Sequence, residues 1–302
     1  MFADLFAGHY ASVKVFMNAE FKADESQKKA AVTRLTTKRD TIRMASPPIG
    51  LNARSWGNIL RYPPRSQAPE FLDAPGQDPV EFAGLLEAIR RTNRWYGGRS
   101  LILRYLEQFA RIIPSRPLTI LDVATASADI PAAIVAWARS QGLPVRILAL
   151  DINPDILRAA RQTVHGLREV VLTRGNALAL PLPDRSVDVV INALALHHFS
   201  FDEAVVVLRE INRVARGGFV VNDVLRSWPA YAGAIADTWL LSRNRLARHD
   251  GPLSVLRSFT WAEFRDLVRA AELRDVEMRP HRLQRAVLVR WPGAKGREGR
   301  GR

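Results

Sequence analysis

The chain has 302 residues, 47% hydrophobic and 25% charged, with a formal net charge of +14 and no cysteine. That is globular usage rather than the composition of a disordered or fibrous chain. The missing cysteine excludes disulfides, thiolate nucleophiles and cysteine-ligated zinc, and agrees with a cytoplasmic protein. No apolar run reaches the roughly 18–20 residues that cross a bilayer, and MFADLFAGHYASVKVF at the start lacks the basic-then-apolar pattern of a signal peptide.

The basic excess sits in the tails. Residues 1–70 hold 11 Lys and Arg against 6 Asp and Glu, and residues 291–302 hold 4 against 1. Lysine occurs at 14, 22, 28, 29, 38 and 295 and nowhere between Lys38 and Lys295, so the first ~40 residues differ in composition from the body, and Met44 is an alternative start. Residues 1–78 therefore read as a poorly structured basic extension ending in a Pro- and Gly-rich linker (SPPIG, RYPPRSQAP, DAPGQDP), and 293–302 as a basic disordered tail.

A helix begins near Pro79, with Phe82, Leu85, Leu86 and Ile89 on one face, and ends at Asn93-Arg94-Trp95-Tyr96-Gly97-Gly98. A second helix covers about Ser100–Ile112. From Leu118 strands and helices alternate. Strands are read at Leu118–Val123, Val145–Leu150, Val170–Thr173, Val187–Ile191 and Phe219–Asn222, and a last pair near Asp275–Pro280 and Arg285–Trp291. Between them come a helix after Asp129, one starting at Pro154 and one carrying Ala204, Val207, Leu208 and Ile211. A helical insertion at about Trp228–Leu241 is followed by a polar loop to Ser258, then a helix with Phe264, Leu267 and Val268. Such alternation predicts an α/β domain with a mostly parallel sheet, and the late consecutive strands predict an antiparallel hairpin at one edge.

Ligands of open α/β sheets bind beyond the carboxyl ends of the strands. The first strand runs into Asp122 and then Ala124-Thr-Ala-Ser-Ala, a tight turn into a helix start without the glycines that such loops favour. The second ends at Asp151, a carboxylate suited to two ribose hydroxyls. The third leads to Gly175-Asn176-Ala177, and the fourth ends at Asn192, followed by His197 and His198. There is no G-x-S-x-G, H-E-x-x-H or P-loop pattern, and the turn lacks the G-x-G-x-x-G of nicotinamide-binding domains.

On these residues, together with Ala179-Leu-Pro-Leu-Pro-Asp-Arg-Ser-Val-Asp-Val-Val and Leu208-Arg-Glu-Ile-Asn-Arg-Val-Ala-Arg-Gly-Gly, residues 118–291 resemble the class I S-adenosylmethionine-dependent methyltransferases of the ubiquinone/menaquinone-biosynthesis type. The resemblance implies a Rossmann-like fold with a seven-stranded mostly parallel sheet and an antiparallel terminal strand. It implies a helical lid over 79–116 and a methyltransferase domain over 117–292 with a cap insertion at about 226–258. It further implies S-adenosyl-L-methionine as cofactor, with Asp122, Ala124, Thr125, Ala126 and Asn192 beside its methionine part. Asp151 falls on the ribose, and Ile152, Asn176 and Ala177 on the adenine. His197 and His198 are the candidate catalytic groups; Trp95, Tyr96, Asn244, Arg245 and His249 are candidates for the acceptor site. No metal is expected. A small-molecule acceptor is the expected partner, methylated on oxygen or carbon. A noncatalytic methyltransferase-like scaffold with a degenerate loop is the rival, and RNA methylation comes third, since no RNA-binding module precedes the domain.

Overall fold

The computed structural model describes residues 61–74 and 76–293. Seven strands form one sheet in the order β3-β2-β1-β4-β5-β7-β6: β1 Leu118–Val123, β2 Val145–Asp151, β3 Val170–Arg174, β4 Val187–Ala193, β5 Ala215–Val224, β6 Val276–His281 and β7 Arg285–Arg290. The first five are parallel, and β7 runs antiparallel between β5 and β6. Central strands β1 and β4 are apolar and buried nearly throughout, as strands covered by helices on both faces must be. Chain order reverses between β1 and β4, which opens a crevice beyond their carboxyl ends. The expected fold class and the terminal hairpin are both present.

Helices α1 Pro79–Trp95 and α2 Gly98–Ile112 precede the sheet. Pro79 stands in the first turn of α1, where its missing N–H costs nothing, and Asp78 Oδ1 accepts from the Val80 and Glu81 amides at 3.0 and 2.9 Å. Then come α3 Asp129–Ser140, α4 Pro154–Thr163 and α5 Phe201–Val214, the last opened by a reciprocal Ser200–Glu203 capping box. One core layer joins Ile102, Phe109 and Ile134 to Ile120, Ile147 and Val189. The other joins Leu121, Val190 and Phe219 to Leu208, Ile211 and Phe264.

The insertion is a pair of helices, α6 Trp228–Leu241 and α7 Arg245–Arg257, before α8 Trp261–Ala270. The polar loop expected over 242–258 is thus corrected to a helix. Its polar residues and Pro252 suggested a break, but Asn244 Oδ1 caps the Ala247 amide at 2.8 Å. Leu246 and Ala247 bury against Phe82, Leu85 and Leu86 of α1. Tertiary burial outweighs the local cost of the proline. Helix α6 buries little: Trp239, Leu240 and Leu241 are exposed, while Pro229, Ala230, Ala234 and Thr238 face a cavity.

A second correction concerns the linker. Residues 61–73 are not loose: the Arg65 guanidinium donates to the carbonyls of Phe199 and Arg257 at 2.8 and 2.7 Å, and Ser66 N donates to Leu256 O at 3.0 Å. The Phe71 and Leu72 amides each donate to the buried Asp250 carboxylate at 3.0 Å. The extension proper and the basic tail lie outside the described residues. None of the described helices is long and apolar enough to cross a membrane.

Candidate functional site

The carboxyl ends of the parallel strands, α1 and the α6–α7 pair enclose a cavity of about 730 Å³, within the range of small-molecule sites. Its floor is the β1 loop. Thr125 N donates to Leu150 O at 2.9 Å, and Thr125 Oγ1 donates to Asp122 Oδ2 at 2.6 Å. Ala126 N donates to Asp151 Oδ2 at 3.1 Å, and Asn153 N to Asp151 Oδ1 at 3.0 Å. Helix α1 pins this loop: Arg90 Nε donates to Ser127 Oγ at 3.1 Å, and Asn93 Nδ2 reaches the Asp129 carboxylate at 3.2 Å.

Ala124, Ala126 and Ala128 have φ of 57°, 49° and 56°. The loop therefore takes the left-handed turns that glycine would provide, and takes them with alanine. Each such alanine costs roughly 1–2 kcal/mol, partly offset because glycine loses about 0.5–1 kcal/mol more chain entropy on folding. Ala126→Gly is accordingly expected to raise the melting temperature by roughly 1–4 °C, as a net gain below about 1 kcal/mol does in a domain of this size. A fall in melting temperature by scanning calorimetry would show that the β-carbon packs usefully.

Burial pushes the Asp122 carboxyl up to about 7; the Thr125 hydroxyl opposes the shift, and Asp129 and Asp151 add to it. Burial also raises Asp151 and Asp129. Of the three, Asp122 and Asp151 line the cavity, where a cationic ligand would favour their ionised forms.

The same cavity is lined by His197 and His198, with ring centroids 4.5 Å apart. The first is 3% exposed; its Nδ1 stands 2.8 Å from Asp223 Oδ1, and its amide donates to Asp223 Oδ2 at 3.0 Å. Histidine 198 places Nδ1 3.0 Å from Asp73 Oδ1. Both Nε2 atoms turn toward buried Glu70, at 3.8 and 3.9 Å. Burial works against a charge on His198, but Glu70 and Asp73 outweigh it and push its pKa up to about 9. Asp223 is held low by His197 despite burial. Arg285, 3% exposed, lines the cavity with Nη1 unpartnered; burial lowers its pKa to about 10 against the pull of Asp223.

The structure brings Asp122, Ala124, Thr125, Ala126, Asp151, Ile152, Tyr96, His197 and His198 to this one cavity. Ile152 is 56% exposed at its rim. It does not bring Asn176, Ala177 or Asn192 to the wall. Asn176 is exposed and spends Oδ1 on the Leu178 amide at 2.9 Å, while Ala177 is buried in the core. Asn192 is fully buried and ties β4 to β1 through Nδ2 to Val123 O at 2.9 Å. Of the acceptor candidates, Tyr96 donates to Asp237 Oδ1 of α6 at 2.6 Å, and Trp95 is 56% exposed off the cavity. Asn244 and Arg245 bind Glu81, at 2.7 Å each, and His249 packs on Phe71; all three fasten α7 to its neighbours. Glu70, Asp73, Asp223 and Arg285 were not singled out in the sequence. Asp223 had a usable signal, since it stands at the carboxyl end of parallel β5 much as Asp151 does in β2.

The S-adenosylmethionine fit rests on the loop and on Asp151. The left-handed turns keep the backbone low under the cavity, and a carboxylate with about four acceptor positions has given two to backbone amides. Two acceptor positions are left for a vicinal diol, and aliphatic Ile152 lies at the next position for a flat base.

Residues 129–221 match the family described as a methyltransferase domain. Demethylmenaquinone methyltransferase of Geobacillus stearothermophilus is 27% identical over 182 residues, 56% of this chain and 76% of that protein. The ubiquinone/menaquinone biosynthesis C-methyltransferase UbiE of Rickettsia bellii is 34% identical over 85 residues, 27% of this chain and 34% of that one. Among solved structures, an S-adenosylmethionine-dependent methyltransferase from Aquifex aeolicus aligns with a TM-score of 0.49 at 19% identity, over 71% of this chain and 98% of that one. Over the matched segment the chain is similar to S-adenosylmethionine-dependent methyltransferases. Both relatives are named for methylation in menaquinone or ubiquinone biosynthesis.

Proposed function

We propose that the chain transfers a methyl group to a small, largely apolar acceptor bearing an ionisable oxygen, of the phenol or hydroquinone kind, and that the new bond is to ring carbon. One observation carries this reading: the strand-end loop and Asp151 share a single cavity with the histidine pair. The aliphatic wall (Leu72, Leu85, Ile89, Val255) suits a hydrophobic ring, and Arg285 offers charge to an acidic oxygen. The names of the relatives support carbon methylation of a quinone-type ring.

Bound S-adenosylmethionine supplies a sulfonium methyl for in-line displacement. Asp151 holds the ribose hydroxyls, Ile152 lies against the base, and Asp122 stands near the methionine part. The lid, pinned by Arg90 and Asn93, excludes water so that the acceptor is held against the methyl, where positioning supplies much of the rate. His197, oriented by Asp223, would accept the acceptor's hydroxyl proton, and protonated His198 beside Asp73 would favour the resulting anionic oxygen; the ring carbon that takes the methyl then gives up its own hydrogen as a proton, which restores the aromatic ring.

Calorimetric titration of the full chain with S-adenosylmethionine and S-adenosylhomocysteine tests the cofactor half. Saturable binding of both is expected, and none to folded protein at saturating ligand would leave the scaffold reading. The acceptor half is tested by mass spectrometry of hydroquinones incubated with protein and cofactor.

Asp122 adds a pH signature. Without ligand it is protonated below about 7, and the cofactor's ammonium group favours the ionised form. Binding below that pH therefore expels a proton, so affinity falls as the pH drops through 7 and is level above it. Calorimetry in buffers of different ionisation enthalpy reads the released proton at pH 6; buffer-independent heats there would rule out this coupling.

A further inference from the structure

We propose that Glu70, His197 and His198 form a binding site for one divalent first-row transition ion, open to the acceptor end of the cavity. It rests on the placement of the acceptor given above and names what activates it. One carboxylate oxygen and two imidazole nitrogens, one from each residue, lie within 4.8 Å of one another. The pairs Glu70–His197 and Glu70–His198 stand at 3.8 and 3.9 Å. The first distance runs to Oε1 and the second to Oε2, and ligands about 2.0–2.2 Å from a tetrahedral ion stand roughly 3.4 Å apart, so side-chain movements of up to about 1 Å close the site.

Two further features separate this cluster from a chance meeting of polar side chains. Each histidine has its outer nitrogen fixed by a carboxylate, Nδ1 of His197 by Asp223 and Nδ1 of His198 by Asp73, which leaves both Nε2 atoms aimed inward. That carboxylate–histidine pairing is the usual support of a metal-ligating imidazole. In addition, Glu70 is 3% exposed, and its Oε1 has no hydrogen-bond partner. Its Oε2 accepts from Ser254 Oγ at 3.0 Å, while the Arg257 Nε stands 3.6 Å from Oε1, outside hydrogen-bond reach. A buried carboxylate oxygen without a hydrogen bond is costly, and the Arg257 ion pair offsets that only in part. Two imidazoles and one carboxylate suit zinc, cobalt, manganese or ferrous iron rather than magnesium or calcium. The three protein ligands leave positions open toward the cavity, where an acceptor's hydroxyl or enol oxygen completes the shell.

The probe is Co²⁺ alone, titrated into metal-stripped full-length protein and followed by visible absorption and calorimetry. One ion per chain with a saturating d–d spectrum is expected. Glu70→Gln and His197→Asn are expected to abolish that spectrum. Asp73→Asn, which alters only the half-exposed partner of His198, is expected to weaken binding about 10–100-fold. Absence of saturable binding to the parent protein overturns the proposal, as does binding that Glu70→Gln leaves unchanged. S-Adenosylhomocysteine affinity, measured on the same samples, reports folding and the cofactor site independently. Cofactor binding without cobalt binding removes the ion and leaves the imidazoles acting directly; loss of cofactor binding in the parent protein counts against the methyltransferase reading instead.

Discussion

Asp151→Ala is expected to weaken S-adenosylhomocysteine binding roughly 10²–10⁴-fold, the equivalent of two hydrogen bonds to a charged group at about 1.5–3 kcal/mol each. Two effects act together. The ribose hydroxyls lose their acceptor, and the Ala126 amide loses the carboxylate oxygen that holds the loop at 3.1 Å. The second effect matters because Ala124, Ala126 and Ala128 are strained in the left-handed region and keep that conformation only while the surroundings enforce it. Asp151→Asn separates the two, since its amide oxygen still accepts one bond but carries no charge; an intermediate loss is expected. Asp151→Ala also leaves the Ala126 and Asn153 amides without their acceptor, so a lower melting temperature is expected for it than for Asp151→Asn. Calorimetric titration decides the matter. Affinity near that of the parent in Asp151→Ala would remove Asp151 from the ribose.

The loop and Asp151 were legible because parallel strands buried on both faces are apolar runs, and a small or acidic residue ending such a run marks the open edge of the sheet. Position along a strand is not direction, however. Asn192 lies one residue from Ala193, which lines the cavity, yet successive strand residues face opposite ways and Asn192 points into the sheet against Val123 O. Asn176 reads as a ligand or as a turn residue with equal ease, and its bond to Leu178 N is the turn. Glu70 and Asp73 were hidden by composition. Their prolines and glycines describe a chain without regular structure, and only contacts nearly 180 residues away, Phe71 and Leu72 with Asp250, show that the backbone is fixed. Such contacts leave no local pattern. The helix α7 was missed for a related reason, since Leu246 and Ala247 are stabilised by α1 and not by periodicity within α7.

His197→Asn is expected to lower kcat for methyl transfer about 10²–10⁴-fold, the range supplied by a positioned group that acts on the reacting proton. Asparagine is chosen because its amide nitrogen falls near Nδ1 and can still donate to Asp223, whose carboxylate is fully buried and already engaged by the His197 and Val224 amides. Alanine would leave that carboxylate short of a partner, at a cost of about 3–5 kcal/mol, and would confuse unfolding with lost chemistry. The atom removed is Nε2, which faces Glu70 and the cavity whether it takes the acceptor's proton itself or ligates an ion that does the same work. Cofactor affinity should be largely kept, because none of the hydrogen bonds that hold the β1 loop runs to His197. The pair of readings, turnover lost and cofactor binding kept, assigns His197 to the acceptor. Full turnover in His197→Asn would place the chemistry elsewhere in the cavity, and parallel loss of cofactor binding would show that the histidines and the β1 loop act as one structural unit.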